Sequence, residues 1–402
     1  MAKKIIQVII TVNSMSIKSK KVLNTELKHE GAKIKVVGIG GAGGNAISRM
    51  YKDFIKDVDF IAINTDTQDL ELCDADIKIH IGKNLTKGLG TGMNPDLGRQ
   101  AAEENRAEIV EVLKGADLVF ITAGFGGGTG SGAGPVVAEA AKELGALTIA
   151  VVTKPFSFEG SQRTRIAQES LVKLKDKVDT MIVIPNDRIF AVIEKDTTLI
   201  KAFEAVDNIL RSSVQGIAEL IAMPGIINVD FSDVKTIMQN AGTALVGIGL
   251  GSGQDRAIAA VTQAVNSPLL ETSIEGAKGV LFGISGSKDM RMSEVNDIAK
   301  VISEAVDSSA KIIFGTYHDK AMKQGQIKVT LVATGFNGSG THKPQLSGLF
   351  SSQAEKKSEL PVQKENKEIS DLSHKQVKSK LEQQKKTDIW DIPAFLRKGK
   401  KQ

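Results

Sequence analysis

Residues 117–135 read Asp117-Leu-Val-Phe-Ile-Thr-Ala-Gly-Phe-Gly-Gly-Gly-Thr-Gly-Ser-Gly-Ala-Gly-Pro135. An apolar run of strand length passes directly into seven glycines between Gly124 and Gly134, and Pro135 is the residue expected to open the helix that follows. Glycine permits positive φ and close backbone approach, so successive N–H groups can face phosphate oxygens at a helix N-terminus. Thr129 and Ser131 offer hydroxyl donors in addition. So many glycines enlarge the backbone entropy lost on folding, and a ligand contact that offsets it explains them better than a purely structural loop.

Upstream, Val36-Val-Gly-Ile-Gly-Gly-Ala-Gly-Gly-Asn45 follows another apolar run. Here Gly38, Gly40 and Gly43 satisfy the dinucleotide spacing G-x-G-x-x-G. Alone, it suggests a nicotinamide-dependent oxidoreductase with Asp59 or Asp66 as the ribose acid. Such an enzyme has no use for the second glycine loop. Two loops at the carboxyl ends of neighbouring parallel strands imply a longer phosphate chain gripped from two sides. The segments 64–68 and 86–95 fit the same face, and Asn94-Pro95 reads as a helix cap and first turn. No G-x-x-x-x-G-K-[ST] occurs, so this is not a P-loop NTPase.

Around these motifs, apolar runs expected as strands at 34–38, 60–64, 77–81, 118–123, 147–153 and 180–184 alternate with helical segments. This is the pattern of a Rossmann-like α/β domain with a parallel sheet. From residue 199 to 223 the apolar positions Phe203, Val206, Leu210, Val214, Ile217 and Ile221 recur at three- and four-residue steps, giving one long connecting helix that stops at Pro224-Gly225. Strands at 243–249, 279–285, 310–317 and 326–334, with helices at 255–264 and 292–305, make a second, smaller α/β domain with a mixed four-stranded sheet. The expected division is an N-terminal extension over 1–32, a nucleotide domain over 33–198, the connector over 199–223 and the second domain over 224–336. A disordered, Ser/Lys/Gln/Glu-rich linker over 337–386 and a docking peptide over 387–402 complete it. Met15 opens a more polar stretch, and residues 1–14 are read as lying upstream of the working start.

The 402 residues are 41% apolar and 25% charged, an ordinary soluble composition. The net charge of +5 resides in the ends. Residues 1–32 hold six Lys/Arg against two Asp/Glu, 337–402 hold fourteen against eight, and the body between is acidic. Direct nucleic-acid binding is therefore not expected. Cys73, the single cysteine, excludes an internal disulfide and reads as a small buried residue.

Gly126-Gly-Gly-Thr-Gly-Ser-Gly132, Thr153-Lys-Pro-Phe-Ser-Phe-Glu-Gly160, Ile184-Pro-Asn-Asp187, Asn228-Val-Asp-Phe-Ser-Asp233 and Asp391-Ile-Pro-Ala-Phe-Leu396 occur in that order. Together they resemble the tubulin/FtsZ family, in its bacterial cell-division branch, from about Lys33 to Phe336 and again in the tail. The resemblance implies a tubulin-like GTPase that binds GTP and GDP through Gly41, Ala42, Gly43, Gly44, Asn45, Gly128, Thr129 and Gly130. It places Glu159 and Arg163 near ribose and phosphates, with a surface ion pair as their alternative, and Asn186 and Asp207 near the base. A carboxylate such as Asp207 accepts from guanine N1–H and the N2 amine together, whereas adenine offers no such donor pair; a solvated helix residue is its alternative.

The resemblance further implies that Asn228, Asp230 and Asp233 meet the GTP of a neighbouring copy. Carboxylates repel a triphosphate but suit the orientation of an attacking water. Asp233 is also expected as the N-cap of a helix over 234–240. A magnesium ion on the phosphates follows from phosphoryl-transfer chemistry, with no ligand assigned. The implied setting is a head-to-tail homopolymer forming the bacterial division ring, cytoplasmic and near the inner face of the membrane. Trp390, Asp391, Ile392, Pro393, Phe395 and Leu396 are implied to dock membrane-anchor and regulatory proteins, so that membrane contact is indirect. The alternative filament reading is plasmid segregation.

Overall fold

The computed structural model describes residues 31–336 except 53, 56, 57, 271, 320 and 321. The expected linker and docking peptide, and all but the last two residues of the N-terminal extension, lie outside the described residues. The strands β1 (Ile34–Ile39), β2 (Val58–Asn64), β3 (Ile77–His80), β4 (Leu118–Gly124), β5 (Leu147–Lys154) and β6 (Thr180–Pro185) form a parallel sheet in the order β3-β2-β1-β4-β5-β6. Their apolar runs are continuous because both faces are covered. In β1, Ile34 and Val36 enter one core and Val37 and Ile39 the other.

The first core includes Ala46, Ile47 and Met50 of α1 (Gly40–Tyr51). The second packs α4 (Pro95–Glu104), α5 (Arg106–Leu113), α6 (Thr129–Glu143) and α7 (Ser161–Lys175) on the opposite face. The short helices α2 (Thr67–Leu72) and α3 (Lys83–Thr86) sit in the loops after β2 and β3. Asn94 caps α4 as expected, its side chain accepting from Asp96 N–H and Leu97 N–H, with Pro95 in the first turn.

Helix α8 (Leu199–Ala222) is 24 residues long, roughly 36 Å at 1.5 Å per residue. Thr198 caps it by accepting from Lys201 N–H, and Val206, Leu210, Val214 and Ile217 line its buried face. Beyond it, β8 (Gly242–Ser252), β9 (Gly279–Gly286), β10 (Lys311–His318) and β11 (Gln326–Thr334) form a mixed sheet. In it β11 runs antiparallel to β8 and β9, and β9 parallel to β10. Its core gathers Ala260, Val261 and Ala264 of α10 (Arg256–Val265) with Val295, Ile298 and Ile302 of α11 (Met292–Ala305).

Four features depart from the sequence expectations. A three-residue strand, β7 (Gly225–Ile227), adds to the edge of β10; three residues carry no detectable period. The two sheets join through Thr180–Ile182 of β6 and Gly242–Ala244 of β8. Helix α6 begins at Thr129, so Pro135 lies inside it and the glycines from 130 to 134 are helical. Finally, α9 (Phe231–Met238) starts three residues before the expected helix, and Asp230, not Asp233, is its N-cap, accepting from Ser232 N–H. Asp233 stands in the first turn, where a carboxylate favours the helix dipole.

Candidate nucleotide site

The registers Ile39↔Ala123 and Gly38↔Thr122 deliver the two glycine loops side by side. A Cβ on Gly38 would lie 2.4 Å from the Gly43 carbonyl oxygen, and one on Gly43 would lie 2.5 Å from that of Thr122. These two glycines press α1 onto the sheet. In the second run only Gly126 has a positive φ, at 107°. Three others permit close approach: a Cβ would meet Thr91 Oγ1 at 2.1 Å from Gly128, Gly124 O at 2.9 Å from Gly130 and Pro95 O at 2.0 Å from Gly132. The run packs α6 against α4 and β4, bringing its first turn beside Gly40.

The two hydroxyls also have partners within the protein. Ser131 is buried and its Oγ accepts from Gly126 N–H at 3.0 Å. Thr129 Oγ1 lies 2.6 Å from Thr65 Oγ1 and 3.2 Å from Thr91 Oγ1, a cluster that ties the second loop to the segments 64–68 and 86–95. Donors are supplied by the backbone as well. Neither α1 nor α6 has a side-chain cap at its N-terminus, so the N–H groups of both first turns are available to an external anion.

Between these termini opens a cavity of about 270 Å³. Gly40, Gly41, Ala42, Gly128, Thr129 and Gly130 line one end, Glu159 and Arg163 the side, and Asn186, Phe203 and Asp207 the other end. Gly44 and Asn45 border a smaller adjoining pocket with Asn64 and Asp69, and Gly43 is buried behind both. Glu159 and Arg163 do form the ion pair, at 2.8 Å, while lining the cavity, and the other Glu159 oxygen accepts from Phe156 N–H. Asp66 caps α2 and Asp59 pairs with Lys35 at 3.6 Å; neither lines the cavity.

The end bearing Asp207 combines polar groups with an aromatic side chain. Asn186 Oδ1 is buried without a hydrogen-bond partner, and an orphaned acceptor facing a cavity calls for a donor from a ligand. The Asp207 side chain is 14% exposed and accepts from Arg49 Nε at 3.0 Å, with Glu204 on the other side of the guanidinium at 3.6 Å. Burial pushes its carboxyl up to about 6, against the opposing pull of Arg49. Phe203, one helical turn before Asp207, presents an aromatic face in the same wall. Its i, i+4 spacing from Asp207 was the sequence signal for it; Arg49 had none, because only the packing of α1 on α8 brings it there.

Asn228, Asp230 and Asp233 are not brought to this cavity. They are exposed beyond the far end of α8. Asn228 Oδ1 accepts from Gly225 N–H at 2.6 Å, which closes a tight loop, and Asp230 holds its cap. Among the described residues no helix is long and apolar enough to cross a membrane.

The model of the Tubulin/FtsZ family GTPase domain matches residues 33–194, and that of the FtsZ family C-terminal domain matches residues 242–337. An empty FtsZ dimer from M. jannaschii is similar at 45% identity and a TM-score of 0.75, covering 79% of this chain and 92% of that one. A GTPγS-bound CetZ2 protofilament from Haloferax volcanii shares the fold at 23% identity and a TM-score of 0.64, covering 75% and 92%. With two domain matches in register and near-complete coverage of an FtsZ at that identity, the chain belongs to the tubulin/FtsZ family of GTPases, as an FtsZ-family protein.

Proposed function

We propose that this chain is a self-assembling GTPase of the bacterial division ring, which binds GTP in the cavity between α1, α6 and α8 and hydrolyses it at the contact between two copies. One observation carries the reading: the cavity holds what a guanine nucleotide needs for binding, while the carboxylates suited to hydrolysis stand beyond the opposite end of α8. In this reading the first-turn N–H groups of α1 and α6 take the phosphates. Glu159 and Arg163 flank the sugar side. Asp207 accepts from guanine N1–H and N2–H, and Asn186 Oδ1 gains the donor it lacks.

Asp230 and Asp233 of the next copy orient a water against the γ-phosphorus, with the Asn228 amide fixing the same water or a phosphate oxygen. The bond to the β–γ bridging oxygen breaks, leaving GDP and inorganic phosphate. Magnesium on the β- and γ-phosphates would neutralise their charge. Among the described residues no group of three or more His, Cys, Asp or Glu stands together. The terminal residues Trp390 to Leu396 tether the polymer through protein anchors, and a pull-down with that peptide identifies them.

Asp233→Ala tests the reading. GTP binding and assembly persist while turnover falls by roughly two to three orders of magnitude, the scale for loss of one key catalytic interaction. Turnover per molecule also drops steeply when native protein is diluted below its assembly threshold. A rate constant down to isolated monomers refutes hydrolysis in trans.

A further inference from the structure

The apolar buried face of α8 carries one carboxylate. Glu219 is 5% exposed and surrounded by donors: Tyr317 OH at 2.6 Å and Lys328 Nζ at 3.2 Å on Oε2, and Gln215 Nε2 at 2.6 Å on Oε1. Gln215 in turn accepts from Arg211 Nε at 3.3 Å. Apolar side chains of similar volume would pack this position as well or better, so a buried ion pair here is weak evidence for stability. What the cluster does specify is geometry.

Tyr317 belongs to β10, where its backbone pairs with Gly225 of β7 at a shift in register between Thr316 and Tyr317. Thr316 Oγ1 accepts from Ile227 N–H at 3.2 Å. The next residue is Asn228, whose Oδ1 returns to Gly225 N–H. Chain and hydrogen bonds thus close a ring, from Glu219 through the end of α8 and β7 to β10, and from Tyr317 back to Glu219. Burial beside the Glu219 carboxylate pushes the Tyr317 phenol far up, so it stays a donor.

We infer that Glu219, Tyr317 and Lys328 form a positioning clamp that fixes the segment Asn228–Asp233 relative to α8, and so sets where its carboxylates are presented to the neighbouring copy. The inference rests on the trans hydrolysis proposed above. The three act through the loop and touch no reacting atom.

The experiment uses the full chain, with GTP binding, assembly and turnover per assembled subunit measured separately. Tyr317→Phe removes the phenol hydrogen bond at nearly constant volume. It lowers turnover per assembled subunit about 5- to 10-fold, within the net range of one hydrogen bond. GTP affinity stays within twofold, because Asp207 lies roughly 20 Å away along α8. Glu219→Gln, which removes the charge that Tyr317, Lys328 and Gln215 all address, completes with the double variant a cycle in which the two losses are less than additive. Should the Tyr317 variant fail to assemble, Lys328→Met gives the same split between turnover and affinity, about threefold in size.

Full turnover in assembled Tyr317→Phe overturns the clamp, as do parallel losses of GTP affinity and turnover. Asp233→Ala run alongside separates the two readings. If Asp233→Ala is inert, trans hydrolysis and the clamp both fall; if it is inactive while Tyr317→Phe is not impaired, only the clamp falls.

Discussion

Asp207→Asn probes base recognition with a single atom exchanged. In the native protein burial holds the carboxyl near pKa 6 although Arg49 Nε lies 3.0 Å from Oδ2. At pH 7.5 the group is almost fully ionised, and at pH 5 only about a tenth of it is. In the proposed complex the carboxylate accepts two guanine N–H donors, and hydrogen bonds to charged groups contribute about 1.5–3 kcal/mol each. Asparagine keeps one acceptor and turns an N–H₂ toward the other donor.

GTP affinity at pH 7.5 should therefore fall about 100- to 1000-fold, roughly 3–4 kcal/mol. Xanthosine triphosphate, which carries a carbonyl where guanine has its amine, should gain on the variant. Titration with GTP, XTP and ATP at pH 7.5 and 5 reads all of this. Native affinity for GTP drops about tenfold on acidification, following the ionised fraction, and the Asn variant shows a flat profile. Binding of GTP by the variant within threefold of native, or an unchanged pH profile, would refute the assignment. Stability moves the other way. A folded-state pKa raised above the unfolded value near 3.8 adds stability that is complete below about pH 4 and is lost as pH rises through about 6. The nucleotide-free protein thus gains from protonation of Asp207 while GTP binding suffers.

Two further outcomes concern the frame. Gly132→Ala places a Cβ 2.0 Å from Pro95 O, where backbone on both sides must move; overpacking of this kind costs about 1–3 kcal/mol, readable as a lower denaturant midpoint, and an unchanged midpoint refutes the packing account of the glycine run. Arg256→Met removes a guanidinium whose side chain is 5% exposed and bonded to Asp289 at 2.6 Å and Glu294 at 2.7 Å, leaving both carboxylates without their cation, which should lower the denaturant midpoint. Hydrogen bonds from Ser287 and then Arg256 hold the Asp289 carboxyl down at about 2, which adds stability above about pH 4 that is lost as pH falls through about 2. Acid titration of the Arg256 variant should show less of that loss, and equal acid sensitivity refutes the pairing.

Strands buried on both faces and a connector with a 3.6-residue period were legible because burial imprints itself on residue type within a short window. The glycine motifs were legible as tight loops after strands, but not in the use to which each glycine is put. Of the seven glycines from 124 to 134 only Gly126 has a positive φ, while a Cβ on Gly124, Gly128, Gly130 or Gly132 would come within 3.0 Å of a neighbour, and a sequence does not distinguish the two uses. Nothing local reveals that Thr65, Thr91 and Gly126 N–H engage Thr129 and Ser131. Arg49, Thr91 and the Glu219 cluster depend on contacts between distant segments, such as Tyr317 with Glu219 across 98 positions, and no window of periodicity contains them.

Helix α8 relates these pieces. Fifteen residues separate Asp207 from Ala222, roughly 22 Å of rigid helix at 1.5 Å per residue, and a carboxylate side chain reaches only a few ångströms. One copy therefore cannot bring its own Asp233 to its own cavity without breaking the helix or its packing against both sheets. A contact that does bring them together joins unlike surfaces, the cavity end of one copy and the loop end of another. Unlike surfaces leave one of each unpaired at the ends of every dimer, and repetition of the same contact extends an open filament. In the trans mechanism proposed above, hydrolysis and polymerisation would share one interface, so a substitution that moves the Asn228–Asp233 segment should alter turnover in the filament before it alters nucleotide affinity.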